Sequence, residues 1–155
     1  MRAIVQRVSR AAVSVDGAVC GEIGTGVCVL LGVGPDDDEQ HARHLAGRIA
    51  TLRIFPDAAG KMNLDLGAAQ GSALVVSQFT LYADTGRGHR PSFVKAGPPE
   101  LGERLCVVFV EALREHSGTV ATGRFGAHME VELVSDGPVT IVLSTGEPAW
   151  SADAG

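Results

Sequence analysis

The sequence predicts a single α/β domain in which two main helices pack on a mixed, strongly curved or barrel-like sheet. Alternating apolar segments open and close the chain, and two segments between them carry apolar residues at helical spacing. Turn-forming glycine, proline and aspartate residues separate these segments. A chain of 155 residues is long enough for one core. We assign residues 1–145 to the domain and residues 146–155 to a tail without a recognisable pattern.

Three antiparallel strands are predicted at the start of the chain. Apolar residues alternate over residues 2–15, with a bulge or bend in the middle. Asp16-Gly17 predicts a turn into residues 18–23, and Gly24-Thr25-Gly26 predicts a second turn. Residues 27–31 are apolar on both faces, so we place this third strand inside a sheet covered on both sides.

Both predicted helices have a clear start. Residues 35–39 combine a proline with acids that suit the positive end of a helix dipole, and apolar residues recur at helical spacing over residues 42–52. We therefore interpret the acidic cluster as a helix cap rather than a metal site. Pro98-Pro99-Glu100 starts the second helix, whose apolar stripe covers residues 101–113 and is expected to end at Gly118.

Short strands and one glycine-rich loop fill the middle of the chain. Residues 54–63 predict two short strands joined by a turn, and residues 71–81 predict a buried strand with a polar end. The loop that follows carries Arg87 and Arg90, with Lys95 close behind. Such a loop is either an ordinary mobile surface segment or a contact for phosphate groups.

The end of the chain predicts a hairpin that folds at Asp136-Gly137-Pro138-Val139-Thr140. Apolar residues alternate with polar ones in the segment before the turn, and the segment after it is mostly apolar. Asp-Gly is typical of a tight turn. A proline directly behind the glycine removes one backbone donor. From the residues alone, two interpretations stay open: an edge-strand turn with a trans proline, and a cis Gly137-Pro138 bond.

Composition narrows the classes of function. A net charge of −5 argues against a broad, nonspecific nucleic-acid binder, although it leaves room for a local basic patch. Three separated cysteines predict reduced residues of the core or of strands. His41 and His44 lack ligand partners at metal-binding spacing, so we expect neither a metal nor a cofactor. No apolar run is long enough for a membrane span, and no signal-peptide pattern is present, so we expect a cytoplasmic protein.

Candidate chemistry lies at the end of the strand that contains Ser77-Gln78-Phe79-Thr80. Hydroxyls, an amide and an aromatic ring meet there, and backbone N–H groups at a strand end can hold an oxyanion. The alternative is a strand that simply leaves the core. A serine hydrolase with a nucleophile elbow is not indicated, because the sequence has no G-x-S-x-G.

Two motifs together carry a family resemblance. Ser77-Gln78-Phe79-Thr80-Leu81 and Gly137-Pro138-Val139-Thr140 resemble the signature motifs of bacterial D-aminoacyl-tRNA deacylases. Other segments match the family pattern in order: Gln6-Arg7-Val8, Lys61-Met62-Asn63-Leu64, Arg90-Pro91-Ser92-Phe93 and Gly123-Arg124-Phe125-Gly126-Ala127-His128-Met129. The resemblance covers roughly residues 1–143. Ser135 departs from the asparagine expected before Asp-Gly-Pro.

The resemblance implies a hydrolase that cleaves the ester of D-aminoacyl-tRNA without a cofactor. It implies a homodimer in which a cis Gly137-Pro138 bond, oriented by Arg7, enters the partner's site and excludes L-aminoacyl esters. That site would contain Ser77, Gln78, Phe79 and Thr80. The terminal adenosine would lie between Phe79 and the region of Phe125 and Met129, and the phosphate contacts would be Arg87, Arg90 and Lys95. Glycyl-tRNA is expected as a second substrate.

Two other classes of function stay open. One is a non-catalytic dimeric module that binds nucleotides or tRNA ends, and the other is a general hydrolase of small amino esters. Within the deacylase interpretation, backbone donors assisted by the tRNA 2′-hydroxyl are favoured over nucleophilic attack by the Thr80 hydroxyl.

Overall fold

The computed structural model describes residues 1–86 and 88–146. In chain order its elements are β1 (Arg2–Val15), β2 (Ala18–Ile23), β3 (Gly26–Gly32), α1 (Glu39–Ala50), β4 (Phe55–Pro56), β5 (Met62–Leu64), β6 (Ser72–Ser77), a 3₁₀ turn (Phe79–Tyr82), α2 (Pro99–Arg114), β7 (Val120–Thr122) and β8 (Glu130–Ser144). Of the predicted tail, only Gly146 lies within the described residues.

The main sheet is mixed, as the sequence predicts. One edge of β1 pairs with β3 and β2, and the other edge pairs with β8. Beyond β3 the sheet continues with β6 and then β7. All strands that pair with β1 are antiparallel to it, whereas β6 runs parallel to β3 and β7 parallel to β6. The short strands β4 and β5 form a separate antiparallel pair at the predicted place.

The prediction that the chain reverses between β2 and β3 is wrong. Val8 of β1 pairs with Gly26, and Ala11 pairs with Ile23, so the same register continues from β3 into β2. The chain bends between these strands without reversing. Both strands are antiparallel to β1, as expected, but they follow one another along the same side of it.

The sheet curls into a nearly closed barrel. Gly21 on β2 approaches the backbone of β7 so closely that a Cβ at this position would lie 2.6 Å from the carbonyl oxygen of Thr122. Only glycine permits that approach. The predicted barrel-like curvature is thus confirmed, and its closure brings the two sheet ends together.

The prediction of a C-terminal hairpin is also wrong. The segment is a single strand, β8, of 15 residues, which pairs with β1 along its length. Gln6 pairs with Thr140 and Val8 with Ser135, so Arg7 alone faces the four residues Asp136–Val139. The Asp-Gly-Pro sequence therefore forms a wide bulge, and the chain does not turn back on itself there.

The helices begin where their capping residues predict. The Asp38 carboxylate accepts the backbone N–H of His41, and the His41 ring accepts the backbone N–H of Asp38, which completes a capping box for α1. Pro99 opens α2. That helix ends at Arg114, before the predicted end at Gly118, because the N–H groups of Glu115 and His116 bond the carbonyls of Ala112 and Leu113, three residues back.

Two apolar clusters stabilise the fold. The larger one lies between the sheet and both helices and includes Leu31, Leu45 and Phe109. The smaller one fills the barrel with Val8, Leu74 and residues around them. Since β3 contributes to both clusters, it is buried on both faces, as its sequence predicts. Within the described part of the chain, no helix is long and apolar enough to cross a membrane.

Candidate active site

A cavity of about 700 Å³ opens beside the end of β6. Its walls come from the end of β6 with the following turn, from the segment before α2, and from the segment that leads into β8. The lining is mainly apolar and aromatic, as is usual for a small-molecule site. Among the described residues it includes Ser77, Gln78, Phe79, Phe93, Val94, Cys106, Phe125, His128, Met129 and Val131.

The polar motif at the end of β6 leaves the sheet earlier than the sequence predicts. The strand ends at Ser77, and the N–H of Gln78 makes a further bond of 2.7 Å to the Leu31 carbonyl. Residues 79–82 then form the 3₁₀ turn. The expected strand over residues 78–81 is therefore wrong, because its strand-forming side chains are held in a tight turn instead.

This turn makes some backbone donors accessible. The N–H of Gln78 is occupied by Leu31, whereas the first bond of the turn runs from the N–H of Leu81 to the Gln78 carbonyl at 3.2 Å. The N–H groups of Phe79 and Thr80 precede that bond and take no part in the turn's own pattern. They are the backbone donors that this motif can offer to a ligand.

Side chains of the turn form the rim of the cavity. Phe79 is 57% exposed, and its ring meets Phe93 edge to face with centroids 5.1 Å apart. The Thr80 hydroxyl accepts a hydrogen bond from the Gln78 side-chain amide. Thr80 is exposed and lies outside the cavity lining, so the structure brings together only Ser77, Gln78 and Phe79 of the predicted four.

Phe125 and Met129 form the opposite wall, each against a glycine. A Cβ on Gly102 of α2 would lie 3.1 Å from the Phe125 ring, and a Cβ on Gly123 would lie 2.5 Å from the Met129 sulfur. These glycines let both side chains pack directly on backbone. The predicted residues Phe79, Phe125 and Met129 therefore face the same cavity.

The second motif lies elsewhere on the chain. The Gly137-Pro138 bond is cis, and both residues are exposed at the bulge of β8. Arg7 supports this bulge: its Nε donates to the Asp136 carbonyl at 3.1 Å, and its Nη1 donates to the Ile54 carbonyl. Arg7 is only 9% exposed, which excludes an orientation with its head in solvent. Neither Gly137 nor Pro138 lines the cavity of its own chain.

The predicted phosphate contacts have different surroundings. Arg90 is exposed, and the ammonium group of Lys95 lies 3.0 Å from a carboxylate oxygen of Asp84. Arg87 lies outside the described residues. Arg90 and Lys95 flank the cavity residues Phe93 and Val94 along the chain.

Sequence reasoning missed Phe93, His128 and Cys106 as cavity residues. Phe93 and His128 stand inside segments that match the family pattern, which is a signal that could have identified them. Burial, with a contribution from Glu103, raises the pKa of Cys106 to about 11. The thiol is therefore protonated at neutral pH and unsuited to act as a nucleophile.

Solved structures share this fold. A structure described as a probable eukaryotic D-amino acid tRNA deacylase aligns with TM-score 0.82 at 18% identity, over 93% of this chain and 98% of that chain. That likeness shows a shared fold. The c-Myc DNA Unwinding Element Binding Protein aligns with TM-score 0.89 at 40% identity, over 95% of this chain and all of that one. The fold thus defines the class as single-domain α/β proteins with a mixed, nearly closed sheet.

Sequence comparison is more specific. The family model described as D-Tyr-tRNA(Tyr) deacylase matches residues 4–144. D-aminoacyl-tRNA deacylases of Escherichia coli strain K12/DH10B and of Shigella boydii serotype 18 are each 57% identical over 143 residues, which cover 92% of this chain and 99% of theirs. The chain belongs to the D-Tyr-tRNA(Tyr) deacylase family. This family membership confirms the prediction that the chain is a hydrolase.

Proposed function

We propose that the chain hydrolyses the ester bond of D-aminoacyl-tRNA and releases the D-amino acid and tRNA in the cytoplasm. The observation that carries this proposal is the turn after β6, which offers the N–H of Phe79 at an aromatic cavity and the N–H of Thr80 next to it along the chain. The family assignment supplies the substrate class. A cavity of this size accommodates a nucleoside with an attached amino acid.

The chemistry requires placement more than a strong base. The α-ammonium group makes the ester carbonyl electrophilic, and the neighbouring ribose 2′-hydroxyl can assist an attacking water. Water adds to the carbonyl carbon, and the tetrahedral intermediate expels the ribose 3′-oxygen, which takes up a proton. One backbone donor at the developing oxyanion contributes roughly 2.7–4 kcal/mol. Phe79 and Thr80 supply two such N–H groups.

Attack by the Thr80 hydroxyl is less well supported. Its oxygen accepts a hydrogen bond from the Gln78 amide, which donates a proton and cannot remove one. A nucleophilic hydroxyl needs an adjacent base. The mechanism that relies on backbone N–H donors uses the same turn and needs no adjacent base.

The site is proposed to be completed by a second copy of the chain. Gly137 and Pro138 are exposed and lie outside the cavity of their own chain, so they are available to another molecule. The surface around the cavity exposes Phe79, Val94 and Val131, and β8 exposes Leu133 and Val134. An apolar patch of this kind favours an interface between proteins.

The Gly137-Pro138 segment is proposed to select the stereochemistry of the substrate. Inserted into the partner's cavity, its backbone would collide with an L side chain and admit a D side chain that points to solvent. Collision discriminates more strongly than an apolar pocket, which distinguishes one methylene by only about 10–200-fold. Glycine has no side chain, so glycyl-tRNA would also be cleared.

The tRNA end is proposed to lie across the cavity mouth. The terminal adenine would stack on Phe79 and face Phe125 and Met129, since base stacking on an aromatic ring suits every base. Arg87, Arg90 and Lys95 are the proposed phosphate contacts. Lys95 would exchange its ion pair with Asp84 for a phosphate group.

A non-catalytic nucleic-acid module is the second candidate, since a neighbour of 40% identity carries the name of a DNA-binding protein. The deciding experiment incubates catalytic amounts of the chain with D-tyrosyl-, L-tyrosyl- and glycyl-tRNA. We expect release of D-tyrosine and glycine with many turnovers per chain, and retention of the L ester. Binding without turnover would support the module instead. Equal cleavage of free D-amino esters without adenosine would indicate a general amino-ester hydrolase.

A further inference from the structure

The turn that carries Phe79 and Thr80 is held from behind by Arg2, on the first strand. The Arg2 Nη1 donates to the Leu81 carbonyl at 2.9 Å, and its guanidinium carbon lies 4.5 Å from the centre of the Tyr82 ring. A charged hydrogen bond and a cation–π contact therefore meet at the end of the turn. Arg2, Leu81 and Tyr82 all lie outside the cavity lining.

Asp37 holds the other side of the same turn. The Tyr82 hydroxyl donates to Asp37 Oδ2 at 3.3 Å. The same carboxylate accepts the N–H of Gly34 at 2.7 Å and contacts the α-ammonium group of Met1. Since the donors of Gly34 and Met1 both lie outside the turn, the position of Asp37 is determined independently of it. Burial and the neighbouring Asp37 charge raise the pKa of Tyr82, so the phenol keeps the proton that it donates.

The Tyr82 ring is seated on backbone. A Cβ on Gly34 would lie 2.9 Å from the Tyr82 hydroxyl oxygen, and a Cβ on Gly32 would lie 3.2 Å from the ring. The ring thus lies directly against the chain at the end of β3, with Arg2 on the ring and Asp37 at its tip. An anchored ring leaves the turn little freedom to move as a body.

We propose that Arg2, Asp37 and Tyr82, here called the clamp, are positioning residues that aim the Phe79 and Thr80 N–H groups at the substrate carbonyl. The inference rests on the proposed function of the turn. A turn of four residues makes few bonds of its own, among them Leu81 to Gln78 and Ala83 to Thr80. Its orientation therefore depends on side chains outside it. Stabilisation of an oxyanion requires donors placed to a fraction of an ångström.

The test compares Arg2→Ala, Arg2→Lys and Tyr82→Phe in the full chain. Single-turnover hydrolysis of D-tyrosyl-tRNA gives the rate constant, and binding of the amide analogue of D-tyrosyl-adenosine gives the affinity. We expect Arg2→Ala to lower the rate constant by about 10- to 100-fold, with affinity changed less than about threefold. Arg2→Lys restores most of the rate because an ammonium group keeps the charge and a donor. Tyr82→Phe gives an intermediate loss.

Ser117→Ala is the control for general destabilisation. The Ser117 hydroxyl is buried and donates to the Leu113 carbonyl at 3.2 Å, beyond the end of α2 and outside the cavity lining. This variant should lower the melting temperature and leave the rate constant unchanged. If Ser117→Ala slows hydrolysis as much as Arg2→Ala does, or if Arg2→Ala keeps the wild-type rate, the clamp proposal is overturned.

Hydrogen exchange provides a measurement that does not depend on activity. In Arg2→Ala, amide exchange should accelerate at least about tenfold in residues 78–83 and stay unchanged in the strands of the barrel. Acceleration throughout the chain, or none, would overturn the clamp. If the wild-type chain fails to hydrolyse the ester, the proposed function is lost, and this local exchange pattern still decides whether the clamp holds the turn.

Discussion

Arg7 lies directly behind the bulge that Asp136 opens in β8. The Nε of Arg7 donates to the Asp136 carbonyl at 3.1 Å and lies 3.2 Å from the carboxylate Oδ2 of the same residue. A second nitrogen of the guanidinium donates to the Ile54 carbonyl. The planar fork of one arginine therefore ties the segment before Gly137 to a loop that follows α1.

Replacing this fork is the first prediction. Arg7→Lys keeps the charge but cannot reach both carbonyls in the same geometry. Hydrogen bonds that involve a charged group contribute about 1.5–3 kcal/mol each, so the free energy of unfolding should fall by roughly that amount. Hydrolysis of D-tyrosyl-tRNA should slow by about 100-fold as the proposed gate loses its position. Urea denaturation and single-turnover rates measure the two effects.

Asp136→Asn is the matched control for Arg7→Lys. It retains the backbone carbonyl and removes only the ion pair, whose carboxylate is 51% exposed. Exposed ion pairs contribute less than about 1 kcal/mol, so both stability and rate should stay close to wild type. An Arg7→Lys protein with the wild-type rate would show that the Gly137-Pro138 segment does not need the paired hydrogen bonds of the Arg7 guanidinium.

The second prediction concerns Gly137, whose φ of 128° is unfavourable for residues with a side chain. A Cβ there would lie 2.8 Å from Val139 Cγ2 and 3.1 Å from Arg7 Nη2. Gly137→Ala should therefore destabilise the chain by more than about 1 kcal/mol and reduce turnover. The control Gly24→Ala has nothing within 4 Å of the added carbon and should change both little. Equal effects of the two variants would contradict this interpretation.

The acid dependence of stability gives the third prediction. Hydrogen bonds from the backbone N–H groups of Lys61 and Ala59 and from the Asn63 amide lower the pKa of Asp57 below its ordinary value of 3.8. A lowered folded-state pKa stabilises the fold above 3.8, and this contribution disappears as the pH falls through the folded value. Asp57→Ala should be less stable than wild type at pH 7, and the difference should shrink as the pH falls below 3.8.

Urea titrations of both proteins across this range measure the effect. Asp57→Asn, which cannot ionise but keeps an acceptor oxygen, should show a smaller difference at pH 7. A difference that stays constant from neutral to strongly acidic pH would mean that the charge of Asp57 does not stabilise this turn.

The fourth prediction concerns the proposed adenine contact. Phe79→Leu removes the aromatic face while keeping an apolar side chain, and stacking of one base contributes about 1–3 kcal/mol. The dissociation constant of the D-tyrosyl-adenosine amide analogue should rise about 5- to 150-fold. Stability should hardly change, because the ring is largely exposed. Val19→Ala, at a residue that is 58% exposed on β2, is the control. Unchanged affinity of Phe79→Leu would remove Phe79 from the binding site.

Elements with local signals could be predicted from the sequence. Asp38 and Pro99 mark the starts of both helices because capping depends on a few neighbouring residues. The alternation of β1 and the two apolar faces of β3 follow from period and burial. These features need no knowledge of distant partners.

The bulge at Gly137 could not be derived in the same way. Asp-Gly between apolar segments is the usual signal for a hairpin, and only the pairing of β8 with a strand more than 120 residues away makes it a bulge. The bend between β2 and β3 has the same cause, since β1 imposes one register on both strands.

The candidate site was predicted in part for a related reason. Ser77, Gln78 and Phe79 carry motif information, whereas Arg2 and Tyr82 stand in segments that read only as strand and loop. Their meeting depends on the alignment of β1 with β3 and β6, which brings the start of the chain to the turn after Ser77. The contact between the Arg2 guanidinium and the Tyr82 ring joins residues far apart in the sequence, so no local pattern of residues indicates it.

The last prediction decides between the two mechanisms. Thr80→Ala removes the hydroxyl and the bond from Gln78 but retains the backbone N–H of residue 80. If backbone donors and the tRNA 2′-hydroxyl carry the reaction, the rate constant should fall less than about tenfold, whereas loss of an essential nucleophile costs several orders of magnitude. Single-turnover assays with D-tyrosyl-tRNA ending in ribose or in 2′-deoxyribose measure both contributions. Two results together would reverse the assignment and make the Thr80 hydroxyl the nucleophile. A folded Thr80→Ala protein would show no turnover, and the wild-type chain would keep full activity on the 2′-deoxy substrate.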